Sequence, residues 1–238
     1  MFLIESYLQE EVKFFLRSEQ ELTEYREDLP VIWQEVLIPS LPMEEMITHL
    51  WHEGREYLQD VIAILQAHTL EIALIVSQSS SVPLGLYYIY KIATRDRTFW
   101  HGWLAGPPAN QQDFAAFEQR FGKELPSSYK TFSQIHNGFL SDGLTGYGMN
   151  PVDEWLPLSR TFDLSDGERQ AMDYDPDLLV EFCPDGLGNG QYYDYRKPIL
   201  DDDYMTVDWD HETRQISKPE PFFSFIPKSV AKVMRVAG

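Results

Sequence analysis

The sequence predicts an α+β protein, because helical and strand patterns occupy separate parts of the chain. Apolar residues recur near the 3.6-residue period of an α-helix in the first part of the chain and again over residues 222–238. Between them, over residues 178–209, short runs rich in Tyr and Val alternate with turns of Gly and Asp. This order of helices, antiparallel strands and a final helix is typical of α+β proteins.

The first 105 residues are predicted to form a mostly helical region. Residues 1–28 carry apolar side chains at helical spacing, and a second helical pattern extends from residue 43 as far as residue 76. Residues 84–92 are apolar on both alternating faces, which indicates a buried strand, and residues 98–104 read as its partner. We therefore expect a β-hairpin at the end of this region. The sequence does not indicate the role of residues 1–105.

The run Gly106-Pro107-Pro108 is the strongest boundary signal in the chain. Glycine and proline interrupt both helices and strands, and the predicted secondary structure changes from a β-hairpin before this run to helices after it. We therefore divide the chain into two domains, residues 1–105 and residues 106–238.

Two helices with sharply defined ends open the second predicted domain. Phe117 and Phe121 lie on one face of the first helix, and Gly122 follows where a helix C-cap favours positive φ. Pro126 opens the second helix, where its missing N–H costs nothing, and Asn137-Gly138 ends it. This pair of helices contains no evident catalytic group, so we interpret it as scaffold.

A three-stranded meander and a final helix follow. Residues 178–182 and 191–195 are predicted strands joined by a turn at residues 186–190, and residues 204–209 form the third strand. Residues 222–238 are then predicted to be helical.

Composition restricts the class of partner. The 238-residue chain has a formal net charge of −19 and a pI of about 4.6, so it repels nucleic acid and anionic membranes and attracts basic proteins. Its single cysteine, Cys183, forms no internal disulfide, and the first residues lack the basic region of a secretory signal. No apolar run is long enough to span a bilayer, so we expect a cytoplasmic protein.

Four pieces of the second domain stand in a fixed order. They are Phe121-Gly-Lys-Glu-Leu-Pro-Ser-Ser-Tyr-Lys-Thr-Phe with Asn137-Gly138, then Leu156-Pro-Leu, Gly186-Leu-Gly-Asn-Gly-Gln-Tyr-Tyr-Asp-Tyr, and Thr206-Val-Asp-Trp-Asp-His-Glu followed by Phe222-Phe-Ser-Phe. This order resembles the SUKH superfamily, the Smi/Knr-type proteins. The resemblance covers about residues 107–238, whereas residues 1–105 resemble no family that we recognise.

The resemblance implies a sheet flanked by helices and a non-enzymatic role without catalytic residues or cofactors. Bacterial members of the family resemble immunity proteins that neutralise polymorphic toxins, many of them nucleases. We therefore expect an immunity protein that binds a basic toxin. The alternatives are a regulatory interaction scaffold of the Smi/Knr type without a toxin partner and, third, a metal-dependent hydrolase.

The candidate binding site is the acidic stretch over residues 173–212, in which only Arg196 and Lys197 oppose twelve carboxylates. Such a stretch steers a basic partner and forms ion pairs across an interface. Tyr192 alternates with its neighbours along a strand, and Tyr is a frequent interface anchor, so we place it beside the acids. The predicted partner-binding residues are Tyr192, Asp194, Asp201, Asp202, Asp203, Asp208 and Asp210.

Motifs for metal or catalytic chemistry are weak. Asp201-Asp202-Asp203 lacks the spacing of a calcium loop, and Asp210-His211-Glu212 lacks the spacing of a zinc helix, so no metal is expected at either place. Gly186-Leu-Gly-Asn-Gly190 lacks the ending of a phosphate loop and is predicted to be a hairpin turn. Cys183 is expected to be a semi-buried strand residue.

Overall fold

The computed structural model describes residues 12–15, 26–27, 29–37, 41–77, 84–93, 98–141, 148–199 and 203–235. The chain has two compact units: residues 1–108 with 226–238, and residues 109–225. Helices and antiparallel sheets form both, which confirms the α+β class. The prediction that residues 106–238 form one domain stays a prediction.

The first unit contains an antiparallel meander in the order β1-β2-β3-β4. Trp51 donates its indole N–H to the hydroxyl of Tyr88 at 3.2 Å, so the helical segment packs on one face of this sheet. Its described elements are β1 Val12–Phe15, α1 Val31–Leu37, α2 Met43–Leu50, α3 Gln59–His68, β2 Thr69–Ser77, β3 Leu84–Ala93, β4 Thr98–Ala105 and a 3-10 turn at His52–Gly54.

The predicted hairpin is confirmed: β3 and β4 pair antiparallel over their length, with Tyr88 opposite Trp103. The long helical prediction is wrong beyond His68, where the chain enters strand β2. This run is rich in β-branched residues, and pairing with β3 satisfies its backbone, so tertiary pairing overrides the helical periodicity.

The helical prediction for residues 1–28 is wrong at Val12–Phe15, which pairs with β2 as strand β1. The prediction for residues 1–11, 16–25 and 28 lies outside the described residues. The described part of residues 1–105 contains four strands beside its helices, so we correct the expectation of a mostly helical region to a mixed one.

The second unit is built on an antiparallel sheet in the order β11-β10-β9-β8-β7, in which β8, β9 and β10 are the predicted meander. Its elements are α4 Gln111–Phe121, α5 Ser127–Ser133, β5 Phe139–Ser141, β6 Gly148–Met149, β7 Leu156–Pro157, α6 Leu158–Thr161, α7 Asp166–Ala171, β8 Leu179–Pro184, β9 Gly190–Pro198, β10 Tyr204–Trp209 and β11 Glu220–Pro221, with 3-10 turns at Val152–Glu154 and Pro176–Leu178. A last helix, α8 Phe222–Arg235, starts in this unit.

The helix ends predicted around residue 122 are confirmed. Gly122 caps α4 with a left-handed φ of 63°, and Pro126 precedes the first residue of α5. Asn110 begins α4 through a capping box with Asp113, in which each side chain accepts the other's backbone N–H.

Both faces of this sheet are covered, which decides where the predicted site residues lie. Aromatic side chains from the α5 helix and the start of α8 pack on one face, where Tyr129 lies against Phe182, Tyr193 and Phe222. The opposite face packs against α6 and nearby segments through Leu158, Leu179, Tyr192, Val207 and Trp209.

Candidate protein-binding surface

Tyr192 lies in the core rather than on the surface. Its side chain is 0% exposed and donates its hydroxyl to Oε1 of Glu181 at 2.8 Å. The expectation that Tyr192 is an interface anchor beside the acids is wrong, because helices and loops cover both faces of the sheet. Tyr192 is therefore a packing residue, and its side chain is not available as a surface anchor.

Asp194 is also buried, at 5% exposure. Nε and Nη2 of Arg196 each donate to its carboxylate at 2.6 Å, and this fork raises the pKa of Arg196. The Arg196 guanidinium also lies 5.4 Å from the centre of the Tyr174 ring. The charge of Asp194 is thus used inside the unit and adds little to an outer acidic surface.

Asp203 joins the sheet to the helix pair. The hydroxyl of Ser128 donates to Oδ1 of Asp203 at 2.6 Å and lies 3.1 Å from the hydroxyl of Tyr193. Ser128 belongs to the Leu-Pro-Ser-Ser-Tyr piece of the sequence, so this piece has a structural partner in the acidic stretch. Asp201 and Asp202 lie outside the described residues.

Asp208 and Asp210 are exposed, as their predicted role requires. Oδ1 of Asp210 accepts hydrogen bonds from the backbone N–H and the hydroxyl of Thr213, at 2.7 and 2.8 Å. These bonds hold the pKa of Asp210 below its usual value, so the carboxylate is ionised at neutral pH. Exposed Glu212 follows in the same turn.

The sequence did not single out Leu187, which is 72% exposed at the tip of the turn between β8 and β9. Oδ1 of Asp185 accepts the backbone N–H groups of Leu187 and Asn189 at 2.7 and 2.9 Å, so the turn backbone is fixed. The sequence contains one signal for this exposed tip: Leu187 stands between two glycines of a predicted hairpin turn.

The turn that carries Leu187 contacts the turn that carries Asp210. Oδ1 of Asn189 accepts the backbone N–H of His211 at 3.0 Å and lies 2.9 Å from its Nδ1. Gly188 has a φ of +98° and approaches the same ring so closely that an added Cβ would lie 3.3 Å from it. We call residues 185–189 and 208–213 the paired-turn surface.

The paired-turn surface combines one exposed apolar side chain with three exposed carboxylates. Strand pairing places both turns at the same end of the sheet, since Gly190 is opposite both Pro184 and Trp209. An apolar contact surrounded by charge is a common arrangement at protein interfaces. The carboxylates are those of Asp208, Asp210 and Glu212.

Residues of the weak metal and catalytic motifs have structural roles in the second unit. Asp210 accepts a backbone N–H within its turn, and Cys183 is buried in β8. Over the described ranges, no set of three or more His, Cys, Asp and Glu side chains is arranged to hold a metal ion. Within the same ranges, the helices are all too short or too polar to cross a membrane.

Residues 108–223 match the SMI1 / KNR4 family (SUKH-1). The match confirms the resemblance predicted from the Gly-Lys-Glu-Leu-Pro and Trp-Asp-His pieces, and it coincides closely with the second compact unit, residues 109–225. No curated protein and no solved structure matches the chain at a significant level.

Proposed function

We infer from the SUKH-1 domain at residues 108–223 that this protein is a non-enzymatic immunity protein, which binds and neutralises a cognate basic toxin of the nuclease type. SUKH domains mediate protein–protein interaction, and the family includes immunity proteins and Smi1/Knr4-type regulators. The proposal places the protein in the cytoplasm, where a nuclease toxin would otherwise reach nucleic acid.

The proposal that the partner is basic rests on the acidity of the chain. A net charge of −19 creates a field that attracts positive proteins over several ångströms. A nuclease holds a polyanion on a basic face, and an acidic protein that covers this face competes with the nucleic acid.

The paired-turn surface is our proposed contact region within that field. Asp208, Asp210 and Glu212 are exposed there, whereas Asp194 and Glu181 are buried and paired internally. Leu187 supplies apolar area that a partner can bury. This assignment keeps Asp208 and Asp210 from the predicted set and replaces Tyr192 by Leu187 as the anchor.

The test is the association of the protein with the toxin encoded beside its gene. The variant Asp208→Asn/Asp210→Asn/Glu212→Gln removes three charges, while Asn at 210 keeps an acceptor for Thr213. We expect its association rate constant at low salt to fall roughly tenfold, and the difference from the wild type to shrink as salt rises. Stopped-flow fluorescence or surface plasmon resonance measures both.

The matched control carries the same charge change on the first unit, at Glu53→Gln/Glu56→Gln/Asp60→Asn, where all three side chains are exposed. We expect a smaller, salt-sensitive change in this control. Equal rate constants for both variants would exclude the paired-turn surface as the contact region. Capture of a host regulator instead of a toxin from native cells would favour the Smi/Knr-type scaffold and overturn the immunity proposal.

A further inference from the structure

A groove of about 440 Å³ in the second unit is lined partly by residues of the acidic stretch and includes two arginines. Its walls come from the residues after α7, from the end of β9 and from the segment between β10 and β11. Two guanidinium groups in one groove stand out in a chain whose net charge is −19. The lining residues are Asp173, Tyr174, Arg196, Arg214, Gln215, Ile216, Ser217 and Pro219.

Arg196 is held rigidly and keeps one edge of its guanidinium unused within the described structure. Asp194 bonds the Nε and Nη2 edge at 2.6 Å for each bond, and the Tyr174 ring lies alongside at 5.4 Å. A guanidinium has five N–H donors, so the Nη1 and Nη2 edge still offers a second fork to a carboxylate. Because Asp194 is buried, the position of this fork is fixed before any ligand arrives.

Arg214 approaches the groove from a turn with an uncommon backbone conformation. Its φ is +55°, and its N–H donates to the carbonyl of Asp210 at 2.8 Å while its carbonyl accepts the hydroxyl of Tyr174 at 3.2 Å. Nη2 of Arg214 donates to Oε1 of Glu168 at 3.1 Å. Among the described contacts, the other N–H groups of the Arg214 guanidinium remain for a ligand. Non-glycine residues with left-handed φ require support from their surroundings and concentrate at functional sites.

We propose that this groove binds a carboxylate side chain of a protein partner, with the forks of Arg196 and Arg214 as donors. The amide of Gln215 and the hydroxyl of Ser217 add neutral hydrogen-bonding groups to the same walls. Planar, paired N–H donors match a carboxylate in geometry. The proposal is independent of the toxin assignment, since it follows from the groove alone.

Donor geometry rather than net charge selects the ligand of this groove. Asp194 and Glu168 already compensate one guanidinium each, and Asp173 is the one carboxylate among the lining residues. The remaining guanidinium N–H groups are donors only, so a carboxylate can accept from them and a lysine or arginine side chain cannot. Phosphate can accept from the same groups and is therefore the competing ligand in the test.

Nuclear magnetic resonance titration of the ¹⁵N-labelled protein at constant ionic strength and pH 7 tests the proposal. The probes are N-acetylglutamate α-amide, inorganic phosphate and N-acetyllysine amide. The indole N–H of Trp209 is a local reporter, because it donates to the Tyr174 hydroxyl at 2.7 Å, and the Ser217 amide is a second one. We expect saturable shifts with the glutamate probe and weaker binding of the other two.

Arg214→Gln is the informative variant, since its side chain is about half exposed and its loss leaves the Asp194–Arg196 pair intact. We expect it to weaken binding of the glutamate probe by about tenfold, the effect of one charged hydrogen bond. Lys218→Gln removes the same charge from the same segment outside the groove lining and should leave binding unchanged. Equal effects of the two variants, no saturable shift, or tighter binding of phosphate or of the lysine probe would each overturn the proposal.

Discussion

Tyr192 on β9 and Glu181 on β8 are cross-strand neighbours, and the tyrosine hydroxyl donates to the Glu181 carboxylate at 2.8 Å inside the second unit. Glu181 is only 9% exposed. Gly190 makes room for the pair, since an added Cβ there would lie 2.5 Å from Oε1 of Glu181. The acidic stretch therefore contains a carboxylate that serves the core rather than a partner.

Glu181→Gln tests the cost of burying this charge. Burial raises the pKa of Glu181 above its ordinary value, so the stability contributed by the carboxyl is present below the unfolded pKa and is lost as pH rises through the folded pKa. We expect the wild type, relative to the glutamine variant, to gain stability as pH is lowered from 7 to 5. Urea unfolding at both pH values measures this difference, and a difference that stays constant or reverses would contradict it.

Tyr192→Phe removes a hydroxyl donor to the buried carboxylate of Glu181. We expect the free energy of unfolding to fall by about 1–3 kcal/mol, because Glu181 then loses that hydrogen bond. A double-mutant cycle with Glu181→Met, which removes the acceptor at similar side-chain volume, isolates the pair, with an expected coupling of about 0.5–3 kcal/mol. Additive losses would show that the two residues contribute to stability independently.

Gly122→Ala tests the cap of α4. The φ of 63° is left-handed and an added Cβ has no neighbour within 4 Å, so only the backbone conformation resists the change. We expect a loss of about 1–2 kcal/mol in the free energy of unfolding. Gly122→Asn is the matched control with a smaller expected loss, because Asn tolerates this conformation better. Equal stability of the alanine variant and the wild type would contradict the expected backbone cost.

Leu187→Ala separates binding from folding. Because Leu187 is 72% exposed, we expect stability to change by less than about 0.5 kcal/mol. If the paired-turn surface meets the partner, the complex should dissociate about tenfold faster, which surface plasmon resonance measures. Val31→Ala is a control at similar exposure, 70%, on the first unit. Unchanged dissociation in the Leu187 variant would remove this residue from the interface.

Local sequence signals predicted the second unit well, because its element boundaries carry strong backbone preferences. Gly122 has the left-handed φ that the pattern required, and the three strands of the meander appear in the predicted order. The first unit was predicted less well. Residues 69–77 have apolar residues compatible with either period, and pairing with β1 and β3 selects the strand.

The candidate site shows the same division. Sequence by itself determined the acidity of the chain and the resemblance of residues 108–223 to the SUKH-1 family, and it predicted Asp208 and Asp210 as binding residues. Tertiary structure decided that Tyr192 and Asp194 face inward, that Leu187 faces outward, and that Arg196 and Arg214 share a groove. The physical reason is that strand alternation specifies two faces but not their cover, which depends on helices and loops distant in sequence.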